Sequence, residues 1–118
     1  MAERDIISEI AALDATLKSI EAVLDLGKLR KEQAELETQA GVPDLWSDPE
    51  AAQKVTSALS RVNSTINKVS SLRSRVTDLP IMLELANNES SDGAELEILK
   101  ELDSLTSAIS DLEIQTLL

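Results

Sequence analysis

Carboxylates are the most abundant side chains in this 118-residue chain that could take part in acid–base or metal chemistry. Glu97 and Glu101 lie four residues apart and would share one face of a helix. A di-metal carboxylate bundle also needs Glu-x-x-His pairs, and the chain has no histidine and no cysteine. We therefore interpret the pair as a solvated acidic face, and we predict no catalytic residues, no metal ligands, no cofactor and no enzymatic activity.

Basic side chains are outnumbered 22 to 11 by acidic ones, and the formal net charge is −11. The basic cluster at 28–31 is followed at once by glutamates, which indicates an exposed helix face of mixed charge. Arg61, Lys68 and Arg75 recur every seven residues. They are either rim charges of a helical bundle that face acidic neighbours, or a docking stripe for an acidic partner. Because of the negative charge, we expect no direct nucleic-acid binding by this chain.

Trp46 is the only aromatic residue of the chain. It lies in the segment 41–50, which contains Gly41 and Pro43, is the only clear loop of the first half and ends in a helix-start signal. One interpretation is an anchor that joins this loop to the start of the next helix. The other is a binding hot spot for a partner.

The elements that position these residues are helices, because apolar residues recur at steps of three and four along most of the chain. We predict an all-α fold, an elongated antiparallel helical bundle of coiled-coil type with three to four helices, forming a single domain over 1–118. The predicted helices are 3–24, 28–40, 49–87 and 93–116. The apolar positions are Ile6, Ile10, Leu13, Leu17, Ile20 and Leu24 in the first helix, Ala52, Val55, Leu59, Val62, Ile66, Val69, Leu72, Val76, Leu79, Leu83 and Ala86 in the third, and Ile98, Leu102, Leu105, Ile109 and Leu112 in the last.

Three interruptions set the predicted boundaries. Gly27 either ends the first helix or marks a bend. Asp48 before Pro49 predicts a helix N-cap followed by proline at the first helical position, and a capping box formed by Ser47 and Glu50 is the alternative. Pro80 predicts a kink or a brief break at 78–81, since proline removes one helical hydrogen bond.

Acidic and basic residues are unevenly distributed along the chain. Residues 50–78 hold five bases and two acids, whereas residues 79–118 hold one base and nine acids. Packing of the last helix against the middle one would therefore place unlike charges along their rims.

No apolar run approaches the roughly 20 residues that a membrane span needs, and the N-terminus has no secretory signal. We expect a cytoplasmic location and no membrane partner. The final two leucines suggest that the natural chain continues past residue 118.

Residues 43–53 read Pro-Asp-Leu-Trp-Ser-Asp-Pro-Glu-Ala-Ala-Gln. This stretch resembles the Pro-Asp-x-Trp-x-Asp-x-x-x-Ala-Gln segment of the bacterial peptide chain release factor 2 family. The resemblance extends to 24–37, to Leu-Glu-Leu-Ala at 83–86 and to the tail 112–118, and so covers nearly the whole chain. Pro43, Trp46, Asp48 and Pro49 carry the family signature, as structural positions. Leu24, Gly27, Pro80 and Gln115 depart from the family pattern.

The resemblance implies the N-terminal helical domain of a translation termination factor that reads UGA and UAA stop codons and triggers peptidyl-tRNA hydrolysis. The Gly-Gly-Gln and Ser-Pro-Phe motifs for those steps are absent from this sequence. The implied partners are the ribosome, near the stalk base of the large subunit, and the class-II release-factor GTPase. The alternative is a free-standing coiled-coil scaffold or adaptor with no ribosomal role.

Overall fold

The computed structural model describes residues 4–88 and 92–117, and every regular element in these ranges is helical. The helices are α1 (Ile6–Leu24), α2 (Leu26–Ala40), α3 (Pro49–Asn88) and α4 (Asp92–Leu117), with a 3₁₀ helix (Pro43–Ser47) between α2 and α3. The prediction of an all-α fold with one long third helix is confirmed. The predicted start of the first helix, residue 3, lies outside the described residues.

Contacts between Cα atoms divide the chain into two compact units. Unit 1 consists of Met1–Val23 and Ser71–Leu118 and contains α1, α4 and the C-terminal part of α3. Unit 2 is Leu24–Ser70 and contains α2, the 3₁₀ helix and the N-terminal part of α3. The single domain over 1–118 stays a prediction.

The core of unit 1 is aliphatic, and it is built from the predicted apolar positions. Leu17 and Ile20 of α1, Leu79 of α3 and Ile98 and Leu102 of α4 are fully buried. Each leucine or isoleucine buried in this way contributes about 1.5–3 kcal/mol relative to an exposed side chain. Three helices with matching apolar stripes can therefore form a stable core without aromatic rings.

Unit 2 is a helical hairpin in which α2 packs against the first part of α3. Val62, Ile66 and Val69 are buried on α3, whereas no residue of α2 is fully buried. Gln33 occupies one position of the apolar stripe of α2, and its side-chain amide donates to Asn63 Oδ1 at 2.6 Å. This hydrogen bond satisfies two partly buried amides and fixes the register of the hairpin.

The junction between α1 and α2 falls at Asp25, so the prediction that Gly27 ends the first helix is wrong, and a bend at Gly27 stays a prediction. Asp25 adopts the left-handed conformation with φ 52° and ψ 76°, and its carboxylate accepts from the backbone N–H of Lys28 at 3.2 Å. Aspartate tolerates this conformation better than most residues and is a strong N-cap. One residue therefore ends α1 and begins α2, and Gly27 lies inside α2.

Pro80 lies within α3, which continues as one helix to Asn88. The predicted break is therefore wrong, and a bend at 78–81 stays a prediction. Proline has no N–H to donate to the carbonyl of Val76, but the ring of Pro80 is exposed and buried Leu79 keeps its place in the apolar stripe. Core packing on both sides of Pro80 outweighs the lost hydrogen bond.

In the described part of the chain, no helix combines the length and the apolar character needed to cross a membrane.

Candidate functional site

The connection between α2 and α3, residues 41–48, forms the tip of the unit 2 hairpin, and we call it the tip loop. Gly41 closes α2, because its backbone N–H donates to the carbonyls of Glu37 and Thr38 at 3.1 and 3.2 Å. Pro43 begins the 3₁₀ helix, where its fixed φ suits a helical start. The tip loop is therefore an ordered turn held by backbone hydrogen bonds.

Asp48 and Pro49 begin α3 as the sequence predicts. The carboxylate of Asp48 accepts from the backbone N–H of Ala51 at 3.3 Å, and its carbonyl accepts from Ala52 at 3.0 Å. The alternative capping box does not form, since the hydroxyl of Ser47 donates instead to the carbonyl of Asp44 at 2.6 Å. Proline at the first helical position loses no hydrogen bond there.

Trp46 projects from the tip loop with 58% of its surface exposed. Its indole Nε1–H donates to the carbonyl of Ala40 at a distance of 3.1 Å. Ala40 is the last residue of α2. This bond satisfies one of the free carbonyls at the helix end and restrains the ring. Trp46 is thus tied to the end of α2 while most of the ring faces solvent.

The part of the chain around the tip loop is acidic in sequence, and the tip loop contains a second exposed apolar side chain. Val42 is 46% exposed in the same tip loop. Residues 32–50 carry six acidic side chains and no basic one. A restrained, exposed tryptophan in an acidic stretch of the chain suits a partner that presents an apolar pocket with a basic rim.

The three residues predicted to be either rim charges or a docking stripe do not share one environment; they are Arg61, Lys68 and Arg75. Arg75 lies in unit 1 and forms a two-pronged ion pair with Glu101 of α4, with Nη2 to Oε1 at 2.5 Å and Nε to Oε2 at 3.2 Å. This is the contact between the middle and last helices that the charge distribution predicts. Arg61 and Lys68 lie in unit 2 and are exposed.

Arg73 is a clamp that the sequence analysis missed. It binds both oxygens of Glu21, at 2.6 and 3.1 Å, and Asp14 Oδ1 at 2.5 Å, so it joins two turns of α1 to α3. Arg73 does not follow the seven-residue repeat of Arg61, Lys68 and Arg75. The basic charge of the middle helix was the one feature of the sequence that could have indicated that Arg73 pairs with carboxylates. Its hydrogen bonds, with those of Lys18, hold the pKa of Asp14 below its usual range.

The acidic pair on α4 offers no metal site in the described ranges. Glu101 is engaged by Arg75, and no cluster of three or more potential ligands occurs among residues 4–88 and 92–117. In the Arg75–Glu101 pair, the hydrogen bond to the carboxylate raises the pKa of the guanidinium. Both charges are therefore used to join α3 to α4.

Comparison with known proteins identifies the family. The PCRF domain matches residues 29–118, which is most of the chain. The chain belongs to the PCRF domain family. Peptide chain release factor 2 of Salinispora tropica is 48% identical to it, and that of Streptomyces avermitilis is 45% identical, each over all 118 residues. The corresponding protein of Nocardia farcinica is 44% identical over 97% of the chain.

The chain spans about a third of the length of these curated relatives, since the alignments cover 32% of each. The resemblance to the N-terminal helical domain of release factor 2 is thereby confirmed. Within this chain, the PCRF domain match includes the tip loop, α3 and α4 but not α1. The exposed tryptophan and the basic part of α3 therefore both belong to the PCRF domain.

Proposed function

We propose that this chain is the part of a release factor 2 that positions the factor on the ribosome, with the tip loop as a contact surface. The observation that carries the proposal is Trp46, whose ring is exposed yet held by the Ala40 carbonyl. A ring that is already restrained loses little entropy when a partner covers it. The family relationship supports the ribosome as that partner.

The full protein would read UGA and UAA stop codons and trigger peptidyl-tRNA hydrolysis through segments other than this one. This chain contains no two adjacent glycines, so it carries no Gly-Gly-Gln sequence. Its role is to hold the factor in place on the ribosome. The location that we expect for the protein is the cytoplasm. The stalk base of the large subunit and the class-II release-factor GTPase are the partners that the resemblance suggests.

Co-sedimentation of the purified chain with ribosomes tests this proposal. We expect binding, and we expect Trp46→Ala to weaken it at least ten-fold, because hot-spot residues contribute about 2 kcal/mol or more. Leu96→Ala is the matched control, since Leu96 of α4 is similarly exposed and lies in the other unit. Circular dichroism should show the same helix content in both variants.

The outcomes separate the general proposal from the role of one residue. Absence of co-sedimentation would contradict the ribosomal role and favour a free-standing scaffold or adaptor. Equal binding by the wild-type chain and Trp46→Ala would contradict only the role of the tip loop.

A further inference from the structure

The N-terminal part of α3 has a surface that differs in charge from the rest of the chain. Residues 51–70 contain three basic side chains and no acidic one, although the whole chain has 22 acidic residues. Lys54, Ser57, Arg61, Ser64 and Lys68 recur at steps of three and four along this helix and are all exposed. We call these five residues the cationic stripe.

The cations of the stripe differ from the other arginines of α3 in their pairing. Arg73 and Arg75 are both held by carboxylates within unit 1. Within residues 4–88 and 92–117, no ion pair involves Lys54, Arg61 or Lys68. The charges of the stripe are therefore available for an external anion.

The two units also carry very different charges. Unit 1 has 15 acidic and five basic residues, whereas unit 2 has seven and six. The net charge of −11 is thus concentrated outside the unit that bears the stripe. The argument from total charge against nucleic-acid binding does not decide the behaviour of this face, because the acidic excess belongs to unit 1 and unit 2 is nearly neutral.

The types of side chain in the stripe suit a nucleic-acid backbone better than an acidic protein helix. A docked protein helix needs an apolar stripe to pack against, and these five positions offer only ammonium, guanidinium and hydroxyl groups. Phosphate oxygens accept hydrogen bonds from lysine, arginine and serine without any apolar contact. The stripe also has no aromatic residue on which bases could stack.

We propose that the cationic stripe contacts the phosphodiester backbone of structured RNA without reading its sequence. At about 1.5 Å per residue, the stripe extends about 21 Å along one helix face, which matches a row of phosphates rather than a single anion. This inference rests on the proposed ribosomal role and assigns ribosomal RNA as the partner of this face. The tip loop and the stripe would then be separate contacts of unit 2.

The salt dependence of ribosome binding tests the stripe quantitatively. Three phosphate contacts would weaken binding roughly 40-fold between 50 and 200 mM salt, from the counterions that they release. The triple variant K54Q/R61Q/K68Q should bind more weakly at 50 mM salt and lose most of that dependence. The control K28Q/K31Q/K100Q removes the same charge, but Lys28 and Lys31 lie among glutamates, so it should behave like the wild-type chain.

A second measurement locates the RNA directly. The chain has no cysteine, so S57C or S64C offers a single attachment point for an iron chelate that generates hydroxyl radicals. On ribosomes, both variants should cleave ribosomal RNA. Excess unlabelled wild-type chain should suppress the cleavage, and excess K54Q/R61Q/K68Q should suppress it much less.

The outcomes separate this inference from the proposed function. Failure of the chain to bind ribosomes would contradict both. Binding with equal salt dependence in the triple variant and the control, or binding without RNA cleavage, would contradict the stripe alone. Cross-linking of a photoreactive group at S57C to an acidic protein, without RNA cleavage, would assign the stripe to a protein partner instead.

Discussion

At the scale of single residues, the most consequential conformation is that of Asp25. It is the only non-glycine residue with positive φ in the described part of the chain, and it both ends α1 and caps α2. The sequence pattern directed attention to Gly27, because glycine is the usual residue for a left-handed turn. The carboxylate of Asp25 compensates for the backbone strain by accepting the N–H of Lys28.

Substitution of Asp25 should show how much its side chain stabilises the junction between α1 and α2. Asp25→Ala loses the cap and keeps the unfavourable φ, so the free energy of unfolding should fall by about 1–2 kcal/mol. Asp25→Asn keeps a side-chain oxygen and tolerates the same conformation, and should change stability by less than about 0.5 kcal/mol. Urea denaturation followed by circular dichroism measures both. Equal destabilisation by the two variants would contradict the proposed role of the cap.

Paired and unpaired arginines of α3 should respond differently to the same substitution. Arg73→Gln removes the clamp on Asp14 and Glu21, and should cost about 1–2 kcal/mol because these groups are only partly exposed. Arg61→Gln alters an exposed side chain and should change stability by no more than about 0.5 kcal/mol. Thermal unfolding of the two variants provides the comparison. Similar losses of stability in both variants would contradict a stabilising role for the contacts of Arg73 with Asp14 and Glu21.

At the scale of elements, the apolar repeat was sufficient to predict the helices and most of the core. Leu17, Ile20, Leu79, Leu102 and Leu105 were all expected inside and are fully buried. The repeat succeeds because each of the three helices of unit 1 buries one aliphatic stripe in a common core. It cannot predict which charged residues pair, since Arg61 and Arg75 hold the same position of the seven-residue repeat, yet Arg75 pairs with Glu101 and Arg61 is exposed.

Pro80 should limit the stability of α3. Pro80→Ala restores a donor for the carbonyl of Val76 and removes the clash of the ring, so the free energy of unfolding should rise by about 1–3 kcal/mol. Ile81→Ala is the control, because Ile81 is largely exposed on the same turn and should be nearly neutral. Denaturant unfolding measures the difference. A loss of stability in Pro80→Ala would show that the helix needs the proline for its local geometry.

The exposure of Trp46 could not be predicted from the sequence. A single aromatic in a loop gives no periodicity that would indicate which side faces the core, and both interpretations stayed open. The structure combines them in part, because the N–H is tied to α2 while the ring faces solvent. The signature residues Asp48 and Pro49 were easier to place, since a cap followed by proline has a local physical meaning.

At the scale of the whole molecule, the chain separates charge into regions that a single net value conceals. Unit 1 is strongly acidic, the tip of unit 2 is acidic and apolar, and the adjacent face of α3 is cationic. Uneven charge of this kind suits a protein that must meet a large partner in one orientation. The family relationship and the distribution of charge thus independently support the proposed role of this chain in positioning the factor on the ribosome.

The most direct test of that role is a peptide-release assay on ribosomes stalled at a UGA codon with a labelled nascent peptide. We expect no release by this chain alone, and we expect excess chain to slow release by the release factor 2 of Salinispora tropica through competition for the ribosome. Release of peptide by the chain alone, or an unchanged rate at a large excess of chain, would contradict the proposal that it positions the factor.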